Sequence, residues 1–201
     1  MAFMPTGVFE RLHFLMGFED MLVNFLLEPE DMMDLCNAIG EYRFQLTKLI
    51  VDNLHPDIIL SHDDWGSKQS LFISPDTWRE FIKPQYERSY KYMKDHGVII
   101  MHHADSFMEP IIEDMVDLGI DIWQGTLPQN DIPKLQETAE RKNDTYGRNR
   151  CFDRRPSGFH RRRDPQGGQK SIVRSMHHTD ISSMYYLWRP RLSVPSCRFN
   201  Y

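Results

Sequence analysis

The chain is poor in cysteine. Cys36, Cys151 and Cys197 are odd in number and far apart, which excludes a disulfide framework. Long apolar runs are also missing. No stretch approaches the roughly 18–20 apolar residues of a membrane span, and the most apolar segment near the start, Met21 to Leu27, is interrupted by Asn24. No basic region precedes an apolar one at the N-terminus, so no signal peptide is expected and the cytoplasm is the default compartment. Glutamate is absent beyond Glu140, and that absence marks a division. Residues 1–140 hold 10 Lys+Arg against 25 Asp+Glu, a balance of -15, whereas residues 141–201 hold 14 against 4, a balance of +10. The overall charge of -5 therefore conceals two unlike segments.

Within the acidic segment the pattern is that of a folded α/β domain. Residues 1–27 mix helix and loop spacings. Glu28-Pro29-Glu30-Asp31 opens a helix, with proline in the first turn and acids facing the positive end of its dipole. It is expected to run to about Asn53, with Leu35, Ile39, Tyr42, Leu46, Leu49 and Ile50 as the buried stripe. His55-Pro56 breaks it, and Asp57 to Ser61 reads as a short buried strand. Ser74-Pro75 supplies an N-cap and a proline at the first helical position. Trp78, Phe81, Ile82, Tyr86, Tyr90 and Met93 mark that helix's inner face, and Pro84 is expected to bend it. Phe107 to Leu118 is a third helix with Gly119 at its C′ position, followed by a strand, Ile120 to Trp123.

The stretch on which the functional reading turns is Val98-Ile-Ile-Met-His-His-Ala-Asp-Ser106. A buried parallel strand reads as a continuous apolar run, and two histidines and an aspartate at its carboxyl end are poorly explained by packing. Strand, helix, strand, helix, strand predicts consecutive βα units with a parallel sheet, and right-handed crossovers put all strand ends on one edge. Ligands sit at that edge. His62, Asp63, Asp64, Trp65, His102, His103, Asp105 and Gln124 are expected to meet there, with His102 at the centre.

The ordered pattern Pro56 to Gly66, then Ser74 to Pro84, then the histidine-ended strand, then Gly119 to Trp123 resembles the uroporphyrinogen decarboxylase superfamily over roughly residues 5–140. The resemblance implies a (β/α)8 TIM barrel, of which residues 1–140 would be an incomplete domain. Family domains are much longer, so Met1 is expected near mid-barrel, with the opening strands, which carry an aspartate essential to the decarboxylase, outside this chain. An unclosed barrel leaves sheet edges uncovered, and an unstable product is expected. Two activities are implied. One branch transfers a methyl group from a methylated corrinoid protein to a small acceptor and holds zinc through a His-x-Cys pair and a distal cysteine. His102 falls at the histidine position, as the metal ligand, but Ala104 stands where the cysteine belongs. Asp63 and Asp105 are then the catalytic candidates, and Asp64, Trp65, His103 and Gln124 the substrate-binding ones. The other branch decarboxylates uroporphyrinogen, a tetrapyrrole, without a metal. Few basic residues lie near the expected strand ends, which suits a substrate with eight carboxylates poorly.

Residues 141–201 have no glutamate and no clear period before Met184 to Trp188. They read either as a disordered basic arm or as the product of a shifted reading frame. Arg161 to Arg163 as a nucleic-acid patch, and His177, His178 and Cys197 as a metal cluster, are the weaker readings. Nucleic acid and membrane are not expected partners. A basic-tailed binding protein is the non-enzymatic alternative, and it predicts affinity falling steeply with salt.

Overall fold

The computed structural model describes residues 1–145 and 185–187. Cys151, Cys197, His177, His178 and the Arg161 triplet lie outside them, as does most of the basic segment. In chain order the elements are β1 (Ala2–Met4), α1 (Val8–Met16), α2 (Phe18–Leu27), α3 (Pro29–Leu54), β2 (Ile58–His62), α4 (Pro75–Thr77), a π-helical turn (Trp78–Ile82) and α5 (Lys83–Asp95). They continue with β3 (Ile99–His103), a 3-10 turn (Glu109–Ile111), α6 (Ile112–Asp117), β4 (Ile122–Gln124), α7 (Ile132–Thr145) and β5 (Tyr185–Leu187).

Four strands, β1 to β4, lie parallel and adjacent in sequence order. This is an arc of the expected (β/α)8 barrel. β5 adds an antiparallel edge beside β4. β1 was not expected: three residues carry too short a period to read, and the strand exists only through its pairing with β2. Among the described residues no helix is long and apolar enough to cross a membrane.

The register divides the sheet into two faces. Residues abreast in a parallel pair point to the same side, and successive residues alternate. Met4, Ser61, His102 and Trp123 form one transverse row; all are buried, against the helices. One residue further on, His62, His103 and Gln124 form the next row on the opposite, more open face. The core lies on the helical side, where Ile59 and Ile100 meet Trp65, Trp78, Tyr86, Tyr90 and Met93. Fully burying each large apolar side chain contributes about 1.5–3 kcal/mol.

Ser74 caps α4 as expected, accepting from the Thr77 N–H at 3.0 Å, and the six positions named for the inner face are all buried. Just before Pro84 the helix passes through a π-helical turn, Trp78–Ile82, where the missing N–H would interrupt an α-helical ladder.

The buried face of α3 differs from the expected one. Met32, Cys36, Ile39, Gly40, Arg43, Thr47 and Val51 face inward, while Tyr42 and Leu49 are 51% and 62% exposed. Of the expected stripe only Ile39 is fully buried, while Leu35 and Ile50 are partly buried and pack against the core. The helix presents polar and small residues inward for specific contacts. Gly40 lets the Gln85 side chain of α5 approach so closely that a Cβ would lie 2.2 Å from its Oε1. Cys36 is a free thiol that burial pushes up to about 12.

Candidate functional site

β1 leads into α1 through Pro5-Thr6-Gly7, and the helix begins with a glycine that has no side chain to cap it. The cap arrives from the end of β2. Asp63 accepts from the Phe9 N–H at 3.0 Å and the Glu10 N–H at 2.9 Å, satisfying two of the orphan donors of the first turn. The same carboxylate accepts from Trp65 Nε1 at 2.7 Å and from the Tyr86 hydroxyl at 2.5 Å. Tyr86 in turn accepts from the Val8 N–H at 3.0 Å. Burial raises the Asp63 carboxyl, while Tyr86, the Glu10 N–H and the Arg43 charge oppose that shift.

Arg43 reaches this layer from α3. It donates to the Thr6 carbonyl at 2.7 Å and to Ser61 Oγ at 2.9 Å, and its guanidinium lies over the Tyr86 ring at 5.3 Å. Thr6 has φ 54°, an uncommon conformation for a β-branched residue, and its carbonyl is held by Arg43.

His102 does not stand on the rim. It is fully buried on the helical face, stacked on Trp65 with ring centroids 4.1 Å apart, and its Nδ1 lies 2.9 Å from the Tyr90 hydroxyl. Its Nε2 has no hydrogen-bond partner of proper geometry. Burial first, and then Arg43, depress its basicity well below the usual histidine range, against a smaller opposing pull from the Asp63 backbone. Asp63 and Trp65, expected as catalytic and substrate-binding residues, are likewise fully enclosed. His102 lies inside the helix–sheet layer because period-2 alternation along β3 turns it there, while Asp63 and Trp65, just past the end of β2, are held in by the hydrogen bonds of the Asp63 carboxylate. The apolar run before His102 gave no phase from which to foresee it.

The other candidates are brought together on the open face. His62 and His103 stack with centroids 4.5 Å apart and planes at 12°, and one donor atom each from His62, Asp64 and His103 lies within 4.8 Å of the others. His103 Nδ1 contacts Gln124 Oε1. The Asp105 N–H donates to Asp64 Oδ1 at 3.1 Å, and Asp105 itself is exposed. The residue missed from sequence is Glu10, whose Oε2 lies 2.8 Å from His62 Nδ1. It stands 52 positions away in sequence, and only its place in the first turn of a helix gave any sign of it. The Glu10 hydrogen bond raises the basicity of His62 against burial. The Glu10 carboxyl is raised by burial but, on balance, lowered by His62. Burial raises Asp64, and the neighbouring Asp105 carboxylate adds to that while the Asp105 N–H and the two imidazoles oppose it.

These shifts predict a stability maximum. His102, depressed in the fold, contributes stability that is present above about 6.5, the ordinary histidine value, and is lost as pH falls below it. His62, raised in the fold, contributes stability that is present below about 6.5 and lost as pH rises through its folded value. Urea midpoints measured across this range with a chelator present should peak near it. His62→Gln should flatten the alkaline side alone. A midpoint that rises steadily through neutrality contradicts this.

The loops holding the row are stitched together. Ser106 Oγ donates to the Gly66 carbonyl at 2.8 Å, the Phe107 N–H to the Ser67 carbonyl at 2.8 Å, and Trp123 Nε1 to the Ala104 carbonyl at 2.8 Å. A separate cleft lined by Arg79, Glu109, Asp114 and Lys134 shares no residue with this group, and its charges already pair with one another.

A family model described as uroporphyrinogen decarboxylase (URO-D) matches residues 5–143, spanning β2, β3 and β4 and the row at their ends. The chain belongs to the URO-D family. No curated protein and no solved structure matched it. Within the URO-D fold, the zinc position implied by the methyltransferase resemblance can be tested directly. Residues 102 and 104 are both fully buried, and Ala104 has no donor atom. A thiolate zinc site there does not fit this chain.

Proposed function

We propose that this URO-D domain transfers a methyl group from a corrinoid-carried donor to a small acceptor bearing an X–H group. The observation that carries this reading is the character of the strand-end row. His62, Asp64, His103, Gln124 and Asp105 include no Lys or Arg, and the Arg43 guanidinium is turned away, bound to the Thr6 and Pro5 carbonyls and Ser61. A tetrapyrrole with eight carboxylates would face two carboxylates here instead of cations. A small neutral acceptor meets no such repulsion.

In this reading the acceptor lies against the stacked imidazoles. Its X–H proton would pass to His103 Nε2 or to Asp64 as the new X–C bond forms, and the corrinoid, as co-substrate, would keep the electron pair of the carbon–metal bond that breaks and leave two electrons more reduced, so that charge, electrons and atoms balance. Gln124 holds the His103 ring through Nδ1, which leaves Nε2 as the proton acceptor. Decarboxylation of uroporphyrinogen is the alternative, and it would need the cations that the row lacks.

The test supplies the full chain with methylcobalamin and a panel of small thiols and phenols, and in parallel with uroporphyrinogen, reading products by mass spectrometry. Methylated acceptor is expected, with the rate falling about 100-fold or more in His103→Ala, the scale of a lost general base. Loss of carboxyl groups from the tetrapyrrole without any methylation overturns the reading.

A further inference from the structure

The fold places a donor set beside, not at, the position where the family resemblance puts a metal. We propose that the full chain binds one divalent first-row transition metal ion through His62, Asp64 and His103, on the open face of the sheet. The inference uses the His103 Nε2 and Asp64 lone pairs that the methyl-transfer reading gives to the acceptor's proton, so with the ion bound the acceptor's X–H group would be activated by coordination instead; binding itself does not depend on that reaction.

Three observations carry it. First, the β2–β3 register sets His62 directly abreast of His103, and Asp64 brings a carboxylate oxygen so that one donor atom from each lies within 4.8 Å of the others. Two imidazoles and one carboxylate form a donor set suited to zinc or a similar ion and leave a coordination position for an exogenous ligand. Second, both imidazoles are already oriented at Nδ1, His62 by the Glu10 carboxylate at 2.8 Å and His103 by the Gln124 amide oxygen. A proton on Nδ1 leaves the Nε2 lone pair free on each ring, which is the second-shell arrangement that metal-ligating histidines adopt. Third, Asp64 accepts one backbone N–H, from Asp105 at 3.1 Å, which fixes the carboxylate while leaving lone pairs unused.

The widest separation exceeds the spacing of a bound tetrahedral shell, about 3.3 Å for metal–ligand bonds of about 2.0–2.1 Å, so side-chain rotations of about an ångström complete the site. The helix-facing position cannot compete. His102 is enclosed by Trp65, Tyr86 and Tyr90, and Ala104 offers no ligand. The metal position has shifted by one residue along β3, which moves it to the other face of the sheet.

The experiment titrates chelator-stripped full chain with Co²⁺ and Zn²⁺ at near-neutral pH, reading Co²⁺ absorption and calorimetric heat, with circular dichroism to confirm that each variant is folded. One ion per chain is expected, with an absorption spectrum of low-coordinate cobalt. His62→Ala and His103→Ala should weaken binding by more than about 100-fold, and Glu10→Gln, which loosens His62 only, by about 10–100-fold. If an alanine variant does not fold, the glutamine variant at the same position replaces it. His96→Ala, on an exposed helix end, should bind as the parent does. Ala104→Cys, which restores the thiol at the family position, should leave affinity unchanged. No binding above that of the His62→Ala/His103→Ala double variant overturns the proposal, as does tightening by Ala104→Cys with binding insensitive to His103.

Discussion

Asp63→Ala is expected to lower stability by about 3–5 kcal/mol, which for a domain of ordinary marginal stability means that much of the chain is unfolded at room temperature. The carboxylate is fully buried and serves four donors: the Phe9 and Glu10 N–H groups, Trp65 Nε1 and the Tyr86 hydroxyl. Removing it leaves each donor without a partner in a dry site, at about 1–3 kcal/mol for each unsatisfied group. It also removes the compensating charge near Arg43. Partial relaxation makes the sum smaller than four independent penalties. Urea unfolding followed by circular dichroism measures the loss. If Asp63→Ala instead folds within about 1 kcal/mol of the parent and loses only turnover, the catalytic role expected from sequence is restored and the structural one fails.

Gly7→Ala is expected to be nearly as damaging, through backbone approach instead of charge. Gly7 has an ordinary φ of -68°, so its value does not lie in conformational freedom. A Cβ there would sit 1.9 Å from Asp63 Cγ and 2.0 Å from Asp63 Cβ, distances that only displacement of the β2 end or of α1 can relieve. Overpacking alone costs about 1–3 kcal/mol, and the displacement also breaks bonds of the Asp63 network, so a loss of about 3 kcal/mol or more is expected. Because the Asp63 Cβ is itself in the way, Asp63→Ala does not rescue Gly7→Ala. The two losses should nonetheless add to less than their sum, since they break the same contacts. Thermal unfolding of the two single variants and the double variant settles this, and full additivity would mean the sites do not interact.

How much of this was legible in the sequence depended on whether a signal was local. Ser74-Pro75 and the aromatic positions Trp78 to Met93 were readable because N-cap chemistry and helical period are written within a dozen residues. The parallel order of β2, β3 and β4 followed from βα alternation. The face of α3 was misread because Gly40, Arg43 and Thr47 are buried for specific contacts, which a hydrophobic stripe cannot announce. That His102 faces the helices and His103 the open side has a similar cause. Ile99-Ile100-Met101 is apolar on both faces, and only the neighbours across the register, Ser61 and Trp123 against His62 and Gln124, decide which imidazole turns toward the helices. Glu10 was out of reach because its partner is distant in the chain. The zinc position implied by resemblance was tied to residue identity at 102 and 104, and Ala104 has no donor atom to complete it.

The hydrogen bond from His62 to Glu10 has a mechanical side. Glu10 rides on α1, and the first turn of α1 is bolted through Asp63 to the end of the very strand that carries His62. The placement of that helix therefore sets the hydrogen bond that raises the basicity of one imidazole of the pair. The other makes its hydrogen bond to Gln124 on β4. The two rings are stacked neighbours, yet only one of them answers to the helix.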